Sequence, residues 1–205
     1  MSRIMAFGPL AIEYDETVLR PRRWTVAQGR WAATLLPALP PGPVLELCAG
    51  AGQIGLLAVH GTRRTLVAVD ASPTACAWAR HNAASNGLRA DVRETSLSDA
   101  LQPDESFPLV IADPPWVPHD DIGRHPDDPV TAIDGGPDGL DVARQCVDLA
   151  AAHLAPGGSV LLQLGTNEQA DRLGQAWGRV GLTEHSRYVV PGRGVVVHLR
   201  AARPA

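Results

Sequence analysis

Short apolar runs alternate with segments of helical period almost to the end of the chain. Few folds accommodate that order besides a parallel sheet covered by helices. Residues 44–47, 66–69, 107–112 and 159–164 read as buried strands, with a weaker run at 90–93. Helices are expected over 25–36, 53–59, 74–85, 140–153 and 168–179, with Asn86-Gly87 and Pro156-Gly157-Gly158 as stop signals. The last two runs, 184–190 and 195–199, flank Pro191-Gly192-Arg193-Gly194, the pattern of an antiparallel hairpin. The expectation is an α/β chain whose mostly parallel sheet ends in an antiparallel pair.

No repeat or linker divides the 205 residues, so 1–205 are expected to form one domain, with 1–40 as an N-terminal extension and helix. The one long irregular stretch is 114–137, rich in Pro, Asp and Gly, and a loop of that length inside a domain is commonly functional or mobile. All 18 basic residues are Arg, which rules out Lys as Schiff base, general base or phosphate clamp. The formal net charge of −4 argues against binding nucleic acid by overall charge. Three widely spaced cysteines, Cys48, Cys76 and Cys146, suit reduced thiols in the cytoplasm rather than disulfides or a zinc site. The apolar start is broken by Gly8-Pro9, so no signal peptide is expected, and no later run approaches membrane-spanning length.

The strongest cofactor signal is Glu46-Leu47-Cys48-Ala49-Gly50-Ala51-Gly52, where a strand runs into a Gly-rich turn that opens a helix. Gly50 and Gly52 let the backbone approach a ligand closely. A dinucleotide pyrophosphate could use such a turn. The acidic residue before the glycines instead resembles the Glu/Asp-x-x-x-Gly-x-Gly pattern of S-adenosylmethionine-dependent methyltransferases, whose cationic ligand suits a carboxylate. Asp70, at the end of the second strand, has the spacing of a ribose-binding carboxylate. Its bland alternative is a cap for the helix that follows.

The chemistry is expected at Asp113-Pro114-Pro115-Trp116, which ends the strand 107–112. Two prolines stiffen the turn and remove two N–H donors, leaving nearby carbonyls to accept from a ligand. Asp113 accepts from an amino group and Trp116 offers a flat face, so the four residues read as a clamp for a planar –NH2. Holding that nitrogen in line with a methyl group supplies catalysis by orientation.

Two further segments, Val18-Leu19-Arg20-Pro21-Arg22-Arg23-Trp24-Thr25 and Gly135-Gly136-Pro137-Asp138-Gly139-Leu140, complete a resemblance that covers roughly residues 18–199. The chain resembles the catalytic domain of the HemK-type family of class I methyltransferases, which methylate a glutamine side-chain amide in release factors. The resemblance implies a Rossmann-like, seven-stranded methyltransferase sheet, S-adenosylmethionine as cofactor, and no metal. It implies donor contacts from Glu46, Cys48, Ala49, Gly50, Gly52, Asp70, Ala71, Ser96, Leu97 and Asp113. Acceptor contacts are expected from Arg22, Trp24, Thr25 and Trp116. The family's motif begins with Asn where this chain has Asp113, and Asp-Pro-Pro-aromatic is also the signature of enzymes that methylate adenine's exocyclic amine. No counterpart of the family's helical recognition domain is expected before Val18.

From Asp113 to Asp141 there are eight Asp and one Arg, a sign that disfavours a phosphate backbone. The expected acceptor is therefore a protein, a peptide or a small molecule, with Arg20, Arg22, Arg23 and Arg30 near the same mouth as candidates for its recognition. His119 and His125 among these carboxylates lack tight metal-ligand spacing.

Overall fold

The computed structural model describes residues 1–202. In chain order it contains β1 (Arg3–Phe7), β2 (Leu10–Tyr14), α1 (Val26–Leu35), β3 (Val44–Leu47), α2 (Gln53–Val59), β4 (Leu66–Asp70), α3 (Pro73–Ser85) and β5 (Ala90–Glu94). There follow β6 (Phe107–Ala112), α4 (Val130–Ile133), α5 (Asp141–His153), β7 (Leu154–Leu164), α6 (Asn167–Arg179), β8 (Leu182–Val190) and β9 (Gly194–Ala201). β3 to β9 form one seven-stranded sheet in the order β5-β4-β3-β6-β7-β9-β8. The pairs β3–β4, β4–β5, β3–β6 and β6–β7 are parallel, whereas β9 runs antiparallel to both β7 and β8. This is the Rossmann-like architecture expected from the sequence.

Each central strand is buried on both faces, as continuous apolar runs require. Leu45, Leu47, Val110 and Leu162 pack with Val147, Leu173 and Trp177 of α5 and α6. Val44, Leu66, Ile111 and Leu161 pack on the other face, with Ala32, Ile54 and Leu57 of α1 and α2. Period-two alternation puts Glu46 on this second face, beside Val44.

Two local differences from expectation have clear causes. β1 and β2 form a separate antiparallel hairpin around Gly8, at φ 62°, where only a broken apolar stretch was foreseen. Leu10, Ile12 and Tyr14 are buried, and buried Asn82 of α3 completes the edge of β2. It accepts from the Glu13 N–H (2.8 Å) and donates to the Glu13 carbonyl (2.9 Å). β7 also starts earlier than expected: Leu154 pairs with Phe107, and pairing resumes at Ser159 with Leu109. The Pro-Gly-Gly segment is thus an excursion within a strand.

The stretch 114–137 is closed at its base rather than loose. The Val117 N–H donates to the Ile133 carbonyl, the Gly135 N–H to the Val117 carbonyl and the His119 N–H to the Gly136 carbonyl, each at 2.9 Å. Among the described residues, no helix is long and apolar enough to cross a membrane.

Candidate active site at the carboxyl edge of the sheet

β3 and β6 are neighbours, but the chain leaves β3 toward β4 and β5 on one side and later continues from β6 to β7 on the other. Such a reversal opens a crevice beyond the carboxyl ends of the two strands. The register Leu47↔Ala112 brings the Gly turn and Asp113 to this crevice together, and Leu47↔Val69 adds the end of β4. Two cavities open there, of about 610 Å³ and about 240 Å³. Asp113 and Pro115 line both, so they form a shared wall.

The larger cavity is lined by Cys48, Ala49, Gly50, Asp70, Ala71, Ser96, Leu97 and Asp113, eight of the ten residues expected to hold a cofactor. The turn beneath it winds through left-handed backbone at Cys48 (φ 56°), Gly50 (φ 54°) and Gly52 (φ 78°). A Cβ placed on Gly50 would meet no atom within 4 Å, so this position opens into space a ligand can enter. Asp70 accepts the Gly50 N–H (2.8 Å) and the Ser72 N–H (2.9 Å), which fixes the turn against β4. The cap of α3 is Ser72, whose Oγ accepts the Ala75 N–H at 3.3 Å, so Asp70 is not spent on capping. Sequence reasoning missed Gln53 in this wall; its Oε1 is buried and has no partner among the described residues.

Glu46 and Gly52 do not line the cavity. Glu46 is 2% exposed and lies under the turn, where one carboxylate oxygen accepts the Gly55 N–H at 2.9 Å. It serves the first turn of α2 because the capping position is Gly52, which has no side chain to do so. Burial pushes its carboxyl up to about 8, against the pull of the Gly55 hydrogen bond. A mostly neutral acid beneath the turn is not the ionic partner of a cationic ligand that the sequence pattern suggested. Cys48 contacts Cys146 at 3.9 Å, and that contact together with burial pushes its thiol well above the usual range. It is therefore a poor nucleophile.

Asp113, Pro114, Pro115, Trp116, Arg22, Trp24 and Thr25 all line the smaller cavity. Burial pushes the Asp113 carboxyl up to about 7, with the Arg22 guanidinium pulling the other way. Among the described residues, no donor reaches the Asp113 side chain or the Pro114 carbonyl. The Trp116 carbonyl, by contrast, accepts from Gln169 Nε2 at 2.8 Å, which ties the motif to α6. Asp113 in the shared wall and the Pro114 carbonyl beside it are thus left without donors, on a turn whose far end is fixed.

Arg22 pairs with Asp128. Arg20 lines the larger cavity, whereas Arg23 and Arg30 are exposed and line neither. Asp121, Asp134, Asp138 and Asp141 are also partnered, with Arg124, His119 and Arg144, so part of the acidic run is engaged in place. No group of three or more metal-ligating side chains occurs among the described residues.

Residues 30–125 match the family model of the methyltransferase small domain. The chain is 36% identical over 166 residues to a release factor glutamine methyltransferase of Mycolicibacterium smegmatis, covering 77% of this chain and 58% of that protein. It is 36% identical over 134 residues to a ribosomal protein uL3 glutamine methyltransferase of Bradyrhizobium diazoefficiens, covering 62% and 41%. The chain thus spans little more than half the length of the curated relatives it matches. In structure it resembles a ribosomal protein L11 methylase from Lactobacillus delbrueckii subsp. bulgaricus (TM-score 0.68, 18% identity, 90% of this chain and 83% of that one). A T. thermophilus 16S rRNA methyltransferase in complex with AdoMet and guanosine gives a TM-score of 0.71 at 17% identity, covering 99% and 51%. Fold, motif placement and these matches agree: the chain has the fold of the class I methyltransferases and resembles the catalytic part of the HemK-type release factor glutamine methyltransferases.

Proposed function

We propose that this chain transfers a methyl group from S-adenosylmethionine to a planar nitrogen, with a protein or peptide glutamine amide as the principal acceptor and the cytoplasm as its place of action. The observation that carries the proposal is the open acceptor pair at the wall between two cavities. Asp113 and the Pro114 carbonyl have no donor among the described residues, and an –NH2 group has two hydrogens to give. The names of the relatives support a glutamine amide.

The larger cavity fits the donor. Its volume lies within the ~300–1,000 Å³ of small-molecule sites, Asp70 stands beside the Gly50 opening, and Gln53 Oε1 awaits a hydrogen-bond donor. When bound, the donor supplies an electrophilic methyl on a sulfonium and leaves as a neutral thioether. Asp113 and the Pro114 carbonyl hold the two N–H bonds, so the nitrogen lone pair is directed toward the larger cavity. Trp116 and Pro115 exclude water from the smaller one. No strong base is needed, because the N–H becomes acidic once the nitrogen is methylated. The proton leaves to Asp113, whose value near 7 suits that task, or to water.

A second reading, methylation of adenine's exocyclic amine, is favoured by one observation: the motif reads Asp113-Pro114-Pro115-Trp116, with Asp where the glutamine-methylating family has Asn. Incubating cell lysate with methyl-labelled donor separates the two. Label in protein, released as methylamine by acid hydrolysis, is the expected result. Label confined to nucleic acid supports the second reading, and label in neither protein, nucleic acid nor small molecules refutes methyl transfer.

A further inference from the structure

The smaller cavity carries a positive charge that the proposed methyl transfer does not use. Two guanidinium groups from distant parts of the chain stand over the Trp24 ring, with Arg22 Cζ 5.6 Å and Arg193 Cζ 5.0 Å from its centroid. Arg22 is neutralised by Asp128. Among the described residues Arg193 has no carboxylate partner, yet it lines the cavity. Its position is built rather than incidental. The turn between β8 and β9 is closed by the Arg193 N–H donating to the Val190 carbonyl (2.9 Å), and Gly194, at φ 137°, lies against the Gln163 side chain. Gln163 is itself 2% exposed, lines the same cavity and donates its Nε2 to the Leu164 carbonyl at 2.9 Å, and its Oε1 has no partner among the described residues. A stacked guanidinium lining the same cavity as an amide oxygen suits a group that is anionic and has a polar neighbour.

Resting on the proposed function, we propose that Arg193 determines acceptor specificity by binding an anionic group, carboxylate or phosphate, carried close to the nitrogen that is methylated. Trp24 holds the Arg193 guanidinium in place by stacking, while Arg22, over the same ring, is paired to Asp128. One guanidinium without a carboxylate partner fits one anion rather than a phosphate backbone, which takes a stripe of cations.

The test uses the full chain with S-adenosylmethionine and two pairs of acceptors: N-acetylglutamine against N-acetylglutaminamide, and acetyl-phosphoseryl-glutaminamide against its unphosphorylated form. The first pair isolates a carboxylate and the second a phosphate. At least one charged member is expected to have a kcat/KM about tenfold above its neutral partner. R193A should abolish that preference without lowering turnover of the neutral partner, and R193K should restore part of it. In NMR titrations of the same acceptors, the Arg193 Nε–H resonance should move with the preferred anion and not with its neutral partner. Equal use of charged and neutral partners with an unmoved Arg193 resonance overturns the inference while leaving amide methylation intact. No transfer to any glutamine, with the Arg193 resonance still responding to the anion, removes the amide acceptor and leaves the anion site standing.

Discussion

Replacing Glu46 by Gln should flatten the pH dependence of stability. In the folded protein the Glu46 carboxyl is buried, with one oxygen on the Gly55 N–H and the other without a partner. Its value rises from 4.5 to about 8 through burial, with Asp113 and Asp70 adding to the rise. Because the folded value lies above the unfolded one, the acid is fully tolerated below pH 4.5, and stability is lost as pH climbs from there to about 8. At ~1.4 kcal/mol per pH unit the whole loss is about 5 kcal/mol, of which about 3 falls between pH 5 and 7. Gln keeps the oxygen that accepts from Gly55 but cannot ionise. Its amide leaves one buried donor unpaired, a pH-independent cost of about 1–3 kcal/mol. Urea unfolding followed by tryptophan fluorescence at pH 5, 6, 7 and 8 measures both proteins. The variant is expected to be the weaker at pH 5 and to gain about 3 kcal/mol on the wild type by pH 7. Asp113 titrates in both chains, so its contribution largely cancels in the difference. Parallel stability curves would refute the idea of a buried, ionisable support beneath the turn.

Three other outcomes follow from the same geometry. Calorimetric titration should give binding of S-adenosylmethionine and none of NAD, and D70A, which frees the Gly50 N–H, should weaken the donor at least about tenfold; preference for NAD would reverse the assignment of the Gly turn. Methyl transfer should rise with pH along a limb at or below about 7, since a bound sulfonium draws the Asp113 value down, and D113N should lose that limb; an unchanged limb would place the ionisation elsewhere. N82A removes hydrogen bonds to Glu13 N–H, Glu13 carbonyl and the Ala51 carbonyl of the Gly turn, so unfolding should come about 2–4 kcal/mol easier; a change below about 0.5 kcal/mol would mean the N-terminal hairpin is not held by that side chain.

The sequence is most legible where one local rule decides the outcome. Continuous apolar runs mark β3 and β6 because both faces of a parallel strand are covered, and the residues at their carboxyl ends fall into the crevice that strand order creates. The role of Asp70 was open between ligand and cap until Ser72 took the cap. Glu46 was misplaced although the alternation of β3 sets it with Val44, on the face covered by α1 and α2; the motif's resemblance outweighed the strand period. The β1–β2 hairpin carried its own signal in the alternation from Leu10 to Tyr14 behind Gly8-Pro9, but its stability comes from Asn82, far along the chain. The meeting of Trp24 with Arg193 has no local signature at all, because only the closing of the sheet by β9 brings the hairpin turn over the cavity.

The central claim is that Asp113 orients the acceptor at the wall between the two cavities. Its most direct test is methyl transfer by D113A, measured alongside S-adenosylmethionine affinity in the same preparation. The account predicts that turnover is abolished while donor affinity stays within a few-fold of the wild type. Wild-type turnover in that variant would contradict it.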